Sequence, residues 1–203
     1  MPIQTPINAK PKKNSLIVCA GTVTCHTVSS MGAGFTVFKT YFNQNLHHEN
    51  RPGGWIAALQ LQLDNFHQQK QEMPAYSRLA KQDDYLGGVA TVPDKLGHKG
   101  LSFAKTLSEQ DLQAQYKEAL RGAINDALVL QRPLFIQPLG IGVYGWDPEL
   151  AATFFAEVIC QTDPEGKLDI SIPIFNPTPG SSNEKFKLHF ASEMEKSGYP
   201  IVQ

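Results

Sequence analysis

The sequence predicts an α/β protein of three layers, α/β/α, with a mixed, largely parallel central sheet. Ser15-Leu16-Ile17-Val18-Cys19-Ala20 and Pro133-Leu134-Phe135-Ile136 are short, nearly unbroken apolar runs, the pattern of strands buried on both faces. Each run leads into a glycine-bearing loop, and each loop into a stripe of apolar residues at helical spacing. A third strand–loop–helix unit follows near the C-terminus, and such repetition favours crossover-linked parallel strands.

The elements follow in order. Residues 1–14 read as an extended N-terminal arm, because Pro2, Pro6 and Pro11 exclude helix, and residues 15–203 read as a single domain. After the first strand ends at Gly21, Phe35, Phe38, Tyr41 or Phe42 and Leu46 mark one helix. Beyond the break at Arg51-Pro52-Gly53-Gly54, Trp55, Ile56, Leu59, Gln62 or Leu63, and Phe66 mark another. Residues 68–84 are polar and carry no periodic signal, whereas Tyr85 to Val92 and Leu101 to Lys105 read as strands around the loop 93–100.

Ser108-Glu109-Gln110-Asp111 has the form of a capping box, and Leu112, Tyr116, Leu120, Ile124 and Leu128 continue it as a long helix. The strand Pro133 to Leu139 ends in Gly140-Ile141-Gly142-Val143-Tyr144-Gly145. Asp147 then reads as an N-cap with Pro148 at the first helical position. Leu168, Ile170, Ile172 and Ile174 alternate as a strand, and Ser181-Ser182-Asn183-Glu184 opens a last helix to about Lys196.

Composition narrows the function classes. With 203 residues, 41% hydrophobic and 18% charged, the chain can bury one sizeable core. Its formal charge is −1 and no basic run extends beyond Lys12-Lys13, so it lacks the electrostatic footprint of a general nucleic-acid or membrane-surface binder. Cys19, Cys25 and Cys160 are an odd number without zinc or disulfide spacing, which fits reduced thiols. Met1 to Asn14 has no apolar signal core and the longest nearby apolar run is Leu16 to Ala20. The expectation is a cytoplasmic protein without a membrane span. His47-His48-Glu49 offers side chains that diverge around a helix, so no metal site is expected.

Ligands of open α/β sheets bind outside the carboxyl ends of the strands, where strands turn into helices. Loops 21–34, 139–147 and 175–182 are all of this kind. Glycines there let backbone N–H groups approach an anion without a Cβ in the way. Gly140, Gly142 and Gly145 match the dinucleotide fingerprint literally, which keeps open an NAD- or other nucleotide-dependent enzyme using the Gly140–Gly145 loop. Against a conventional dinucleotide fold stand the motif's position two-thirds along the chain, the carboxylate of Asp147 at the helix start, and the lack of a following strand with an acidic end. Lys39-Thr40 follows Phe38 and lacks the preceding glycine of a P-loop.

The run Pro138-Leu139-Gly140-Ile141-Gly142-Val143-Tyr144-Gly145-Trp146-Asp147-Pro148-Glu149 resembles the second phosphate-binding loop of macro domains, and the order of elements from residue 15 to about 196 is similar to that family's. The resemblance implies a ligand of the ADP-ribose type, free or carried on a modified protein, with no cofactor required. It implies that the diphosphate lies between Gly32, Ala33, Gly34 and Phe35 on one side and Gly140, Ile141, Gly142, Val143 and Tyr144 on the other. Tyr144 would cover the distal ribose, and Phe175 and Asn176 would lie near the adenosine.

The approach to the first loop, Gly21-Thr22-Val23-Thr24-Cys25-His26, departs from the asparagine-rich text of hydrolytic macro domains, and residues 1–14 hold no counterpart of the family's early aspartate. Binding therefore carries over more directly than hydrolysis. Removal of ADP-ribose from protein needs a group that positions or deprotonates water. His26 is the titratable candidate, with Thr24 or Asn43 to orient that water. A chain of this fold that binds a protein partner and no nucleotide is the remaining alternative.

Overall fold

The structure, a computed structural model, describes residues 3–7, 10–21, 75–78, 86–95, 108–142 and 144–199. Among these residues the strands are β1 (Leu16–Gly21), β2 (Tyr76–Arg78), β3 (Leu86–Thr91), β4 (Leu134–Ile136) and β5 (Ile170–Ser171). The helices are α1 (Glu109–Leu130), α2 (Pro148–Thr162) and α3 (Ser182–Ser197). The strands form one mixed sheet in the order β2-β3-β1-β4-β5, parallel throughout except for β2, which runs antiparallel to β3. The mixed, mostly parallel α/β architecture read from the sequence is the one observed.

The register explains why the first strand is so continuously apolar. Leu16 pairs with Leu86 on one side and Leu134 on the other, and Leu134 with Ile170, giving an aliphatic row across the sheet. Leu16, Val18, Leu86, Ala90, Leu134 and Ile136 join the buried residues of the three helices in one core cluster. Ile17, Val89 and Phe135, on the opposite face, are 0%, 1% and 1% exposed. Both faces of the sheet are thus covered, and strands in that position cannot alternate polar and apolar residues.

Local signals set the helix ends as expected. The Ser108 hydroxyl accepts from the Asp111 N–H at 3.1 Å, the Asp147 carboxylate from the Leu150 N–H at 2.8 Å, and the Ser181 hydroxyl from the Glu184 N–H at 3.2 Å. At α3 the capping box is shifted by one residue: the Glu184 carboxylate accepts from the Gly180 N–H at 2.6 Å. Between α2 and α3, Phe155 meets Phe186 edge-on at 5.2 Å, and within α3 Phe186 stacks on Phe190 at 5.8 Å. Buried aromatic pairs of this kind stabilise by about 0.5–1.5 kcal/mol beyond their area.

Two features lie outside what local pattern revealed. The arm is an integral edge of the sheet between Ile3 and Ile7: Gln4 N–H donates to the Ile170 carbonyl, Ile172 N–H to the Gln4 carbonyl and Ile174 N–H to the Pro6 carbonyl, each at 2.9 Å. Ile3 is 1% exposed and belongs to the core. The segment without periodic signal contains β2, held to α1 by a carboxylate shared between two of its side chains. Tyr76 donates its hydroxyl to Asp126 Oδ2 at 2.7 Å, and the Arg78 guanidinium pairs with the same carboxylate. Burial, and then the Asp126 hydrogen bond, push the Tyr76 phenol far above its ordinary range. The ring fits there because Gly88 and Gly122 have no side chains: a Cβ on either would come within 2.5 Å of Tyr76.

The strand expected at Leu101 to Lys105 and the helices expected over Phe35–Leu46 and Trp55–Phe66 lie outside the described residues.

Candidate functional site

β1, β3, β4 and β5 are parallel, so their carboxyl ends share one edge of the sheet, the edge at which ligands of this class of fold bind. The loop from Leu139 to Trp146 leaves β4 there. Phe175 and Asn176 leave there too, just after Ile174, which bridges to Ile7 of the arm. Of the site residues expected from sequence, Gly140, Ile141, Gly142, Tyr144, Phe175 and Asn176 are therefore brought to one edge. Thr24, His26, Gly32, Ala33, Gly34, Phe35, Asn43 and Val143 lie outside the described residues.

The loop after β4 is tightly organised. Trp146 N–H donates to the Gly140 carbonyl and Gly145 N–H to the Gly142 carbonyl, both at 3.1 Å, which closes the loop on itself. Lys95 N–H, from the segment after β3, reaches the Tyr144 carbonyl at 2.9 Å. Tyr116 of α1 donates its hydroxyl to the Leu139 carbonyl at 2.7 Å, and the Trp146 indole N–H donates to the Pro93 carbonyl at 2.7 Å. Tyr116, Trp146 and Phe154 form an aromatic cluster beneath the loop, with Tyr116 and Trp146 ring centres 4.7 Å apart. Full burial raises the Tyr116 phenol well above its ordinary range, so it remains a donor.

The loop's glycines have different physical reasons. Gly140 has φ +69°, and a Cβ there would sit 2.8 Å from Trp146 Cδ1. The fold itself demands glycine at that position. Gly142 is exposed, has no positive φ, and a Cβ there would meet nothing within 4 Å among the described residues. Among the described residues, neither backbone strain nor packing asks for glycine at 142.

Among the described residues, no backbone carbonyl accepts from the N–H of Ile141 or Gly142. The N-terminus of α2, in contrast, is already occupied by the Asp147 carboxylate.

Around this core the charges are local. Lys95 lies 4.9 Å from the Trp146 ring centre and pairs with Glu109 at 2.8 Å. That hydrogen bond lowers the pKa of Glu109. Tyr144 is 4% exposed, and its side chain belongs to the core cluster. Phe175 is half-buried, its carbonyl accepting from Asn183 Nδ2 of α3 at 2.6 Å, and the exposed Asn176 adopts φ +42°. Sequence reasoning placed Tyr116 only in a helix stripe and left Trp146, Pro93 and Lys95 without roles. The aromatic–carbonyl bonds they make cross between elements, and no spacing rule signals them. Among the described residues no group of three or more His, Cys, Asp or Glu side chains is placed to hold a metal, and no helix is long and apolar enough to cross a membrane.

No protein-family model matches the sequence, and no curated protein matches it. Solved structures do match the fold. A mutant macrodomain from Oceanobacillus iheyensis aligns with a TM-score of 0.60 at 14% identity, over 91% of this chain and 88% of that one. Another mutant of that macrodomain, solved with ADPR, aligns with a TM-score of 0.57 at 16% identity, over 95% and 92%. The poly(ADP-ribose) glycohydrolase of Deinococcus radiodurans, in complex with ADP-ribose, aligns with a TM-score of 0.57 at 13% identity, over 89% and 77%. The chain has a macro-domain-like fold, as the resemblance in its 138–149 run implied.

Proposed function

We propose that the protein binds ADP-ribose, free or as an ADP-ribosyl group on a modified protein, at the carboxyl edge of its sheet. The diphosphate lies against the loop from Gly140 to Tyr144, with Gly32, Ala33, Gly34 and Phe35 on its other side. Phe175 and Asn176 stand beside the adenosine. The observation that carries this reading is Gly142, an exposed glycine for which no described residue demands the absence of a side chain, in a loop where, among the described residues, no backbone carbonyl accepts from the Ile141 or Gly142 N–H. Support comes from the shared fold of macrodomains, two of whose solved structures hold ADPR and ADP. Asp147 blocks the helix end as an alternative anion seat, which favours a loop-held diphosphate over a conventional dinucleotide arrangement. The proposal is for binding. Hydrolysis would rest on His26, Thr24 and Asn43.

Calorimetric titration of the full chain with ADP-ribose, ADP and NAD tests it. ADP-ribose should bind with the highest affinity and ADP more weakly. A preference for NAD would instead point to a nicotinamide-dependent enzyme, and absence of heat with all three would overturn the proposal in favour of a protein-interaction role.

A further inference from the structure

A peptide unit is planar and trans, so its C=O and the N–H of the next residue point in opposite directions. No cis peptide occurs among the described residues. Wherever the protein fixes a loop carbonyl, it therefore also aims the following amide. The Leu139 carbonyl, in a residue 0% exposed, is held at 2.7 Å by the Tyr116 hydroxyl. The Gly140 carbonyl is held at 3.1 Å by the Trp146 N–H. The first tether turns the Gly140 N–H away from α1, and the second turns the Ile141 N–H away from the neck of the loop. Trp146 is itself fixed by its indole bond to Pro93 and by the Tyr116 ring against it.

The geometry points to Tyr116 as a positioning residue for anion recognition: from beneath the loop, its hydroxyl sets the direction of the Gly140 amide. It touches no ligand. The inference rests on the reading that the diphosphate lies over this loop, but the aiming of the amide is a property of the chain alone. It also explains why a tyrosine stands on α1 where packing alone would be served by phenylalanine. Its aromatic neighbours Trp146 and Phe154 at 4.7 and 5.5 Å would accept either ring, whereas the carbonyl accepts only from the hydroxyl.

Tyr116→Phe removes that hydroxyl and little else. The matched control is Tyr199→Phe, which deletes another buried tyrosine bond, from Tyr199 to Asp163 Oδ2 at 2.9 Å, beyond the far end of α2. The 15 residues of α2 put about 22 Å between that bond and the loop. Both variants should melt at lower temperature than the wild type. Measured well below both melting points, ADP-ribose affinity should fall about three- to tenfold in Tyr116→Phe and stay unchanged in Tyr199→Phe. Amide exchange at Gly140 and Ile141 should accelerate about tenfold in the first variant only.

Equal affinity in wild type and Tyr116→Phe, or equal losses in the two variants, would overturn the inference while leaving ADP-ribose binding intact. If the wild type itself fails to bind ADP-ribose, the proposed function falls, and the exchange rates alone decide: unchanged Gly140 and Ile141 rates in Tyr116→Phe overturn the inference as well.

Discussion

The two central glycines of the 140–145 loop should respond to the same substitution in opposite ways. At Gly140, with φ +69°, alanine pays the left-handed penalty of about 1–2 kcal/mol. Its Cβ would also lie 2.8 Å from Trp146 Cδ1. That indole cannot swing aside without breaking its 2.7 Å bond to Pro93, and overpacking of this kind costs about 1–3 kcal/mol. Gly140→Ala should therefore lose about 2–5 kcal/mol. With a urea m-value of about 2 kcal/mol per molar, the unfolding midpoint falls by about 1–2.5 M. At Gly142 neither penalty arises from the described residues, because φ is not positive and none of their atoms lies within 4 Å of the Cβ position. Gly142→Ala and Gly142→Glu should unfold within about 0.5 kcal/mol of the wild type.

Binding should separate these two variants from the wild type even though stability does not. A methyl group between the loop amides and a phosphate should weaken ADP-ribose at least about tenfold, equivalent to about 1.4 kcal/mol, and the glutamate should abolish binding through bulk and charge. Urea unfolding monitored by tryptophan fluorescence, paired with calorimetric titration, reads both quantities on the same preparations. Wild-type affinity in Gly142→Glu would place the diphosphate elsewhere. Wild-type stability in Gly140→Ala would refute the structural account of the loop.

Two further outcomes test the scaffold. Gly122→Ala should destabilise although alanine in a helix interior is ordinarily favoured over glycine by about 1 kcal/mol, because its Cβ would lie 2.5 Å from Tyr76 Cβ, an atom too close to the β2 backbone to move alone. A urea midpoint above that of the wild type would show that the Tyr76 clamp is loose. Burial raises the pKa of Tyr76, Tyr116 and Tyr199 above the ordinary tyrosine value of about 10, so the folded state holds protons there that the unfolded chain releases. Their contribution is fully present below pH of about 10 and lost as pH rises further, at about 1.4 kcal/mol per pH unit for each tyrosine kept neutral. Phenolate absorbance should show these three of the six tyrosines ionising only together with unfolding, and their ionisation in the intact fold would contradict the burial seen here.

What the sequence disclosed and what it withheld differ by the range of the interaction involved. Strand β1 was legible because burial on both faces leaves its apolar run unbroken. The three helix starts were legible because Ser108, Asp147 and Ser181 each bond an amide three residues on. β2 was not, since three residues carry no period and what fixes them is a carboxylate 50 positions away. The arm was read as extended but not as a sheet edge, because its bonds go to β5, across most of the chain. The candidate site divides in the same manner. Its glycine text is local and identified the loop; the hydroxyl of Tyr116, 23 positions from the carbonyl it holds, is not. Gly140 and Gly142 are interchangeable as letters in that text. Only the Trp146 ring against one, and the lack of any described atom within 4 Å of the other, separate a glycine that the fold requires from one that its described residues do not.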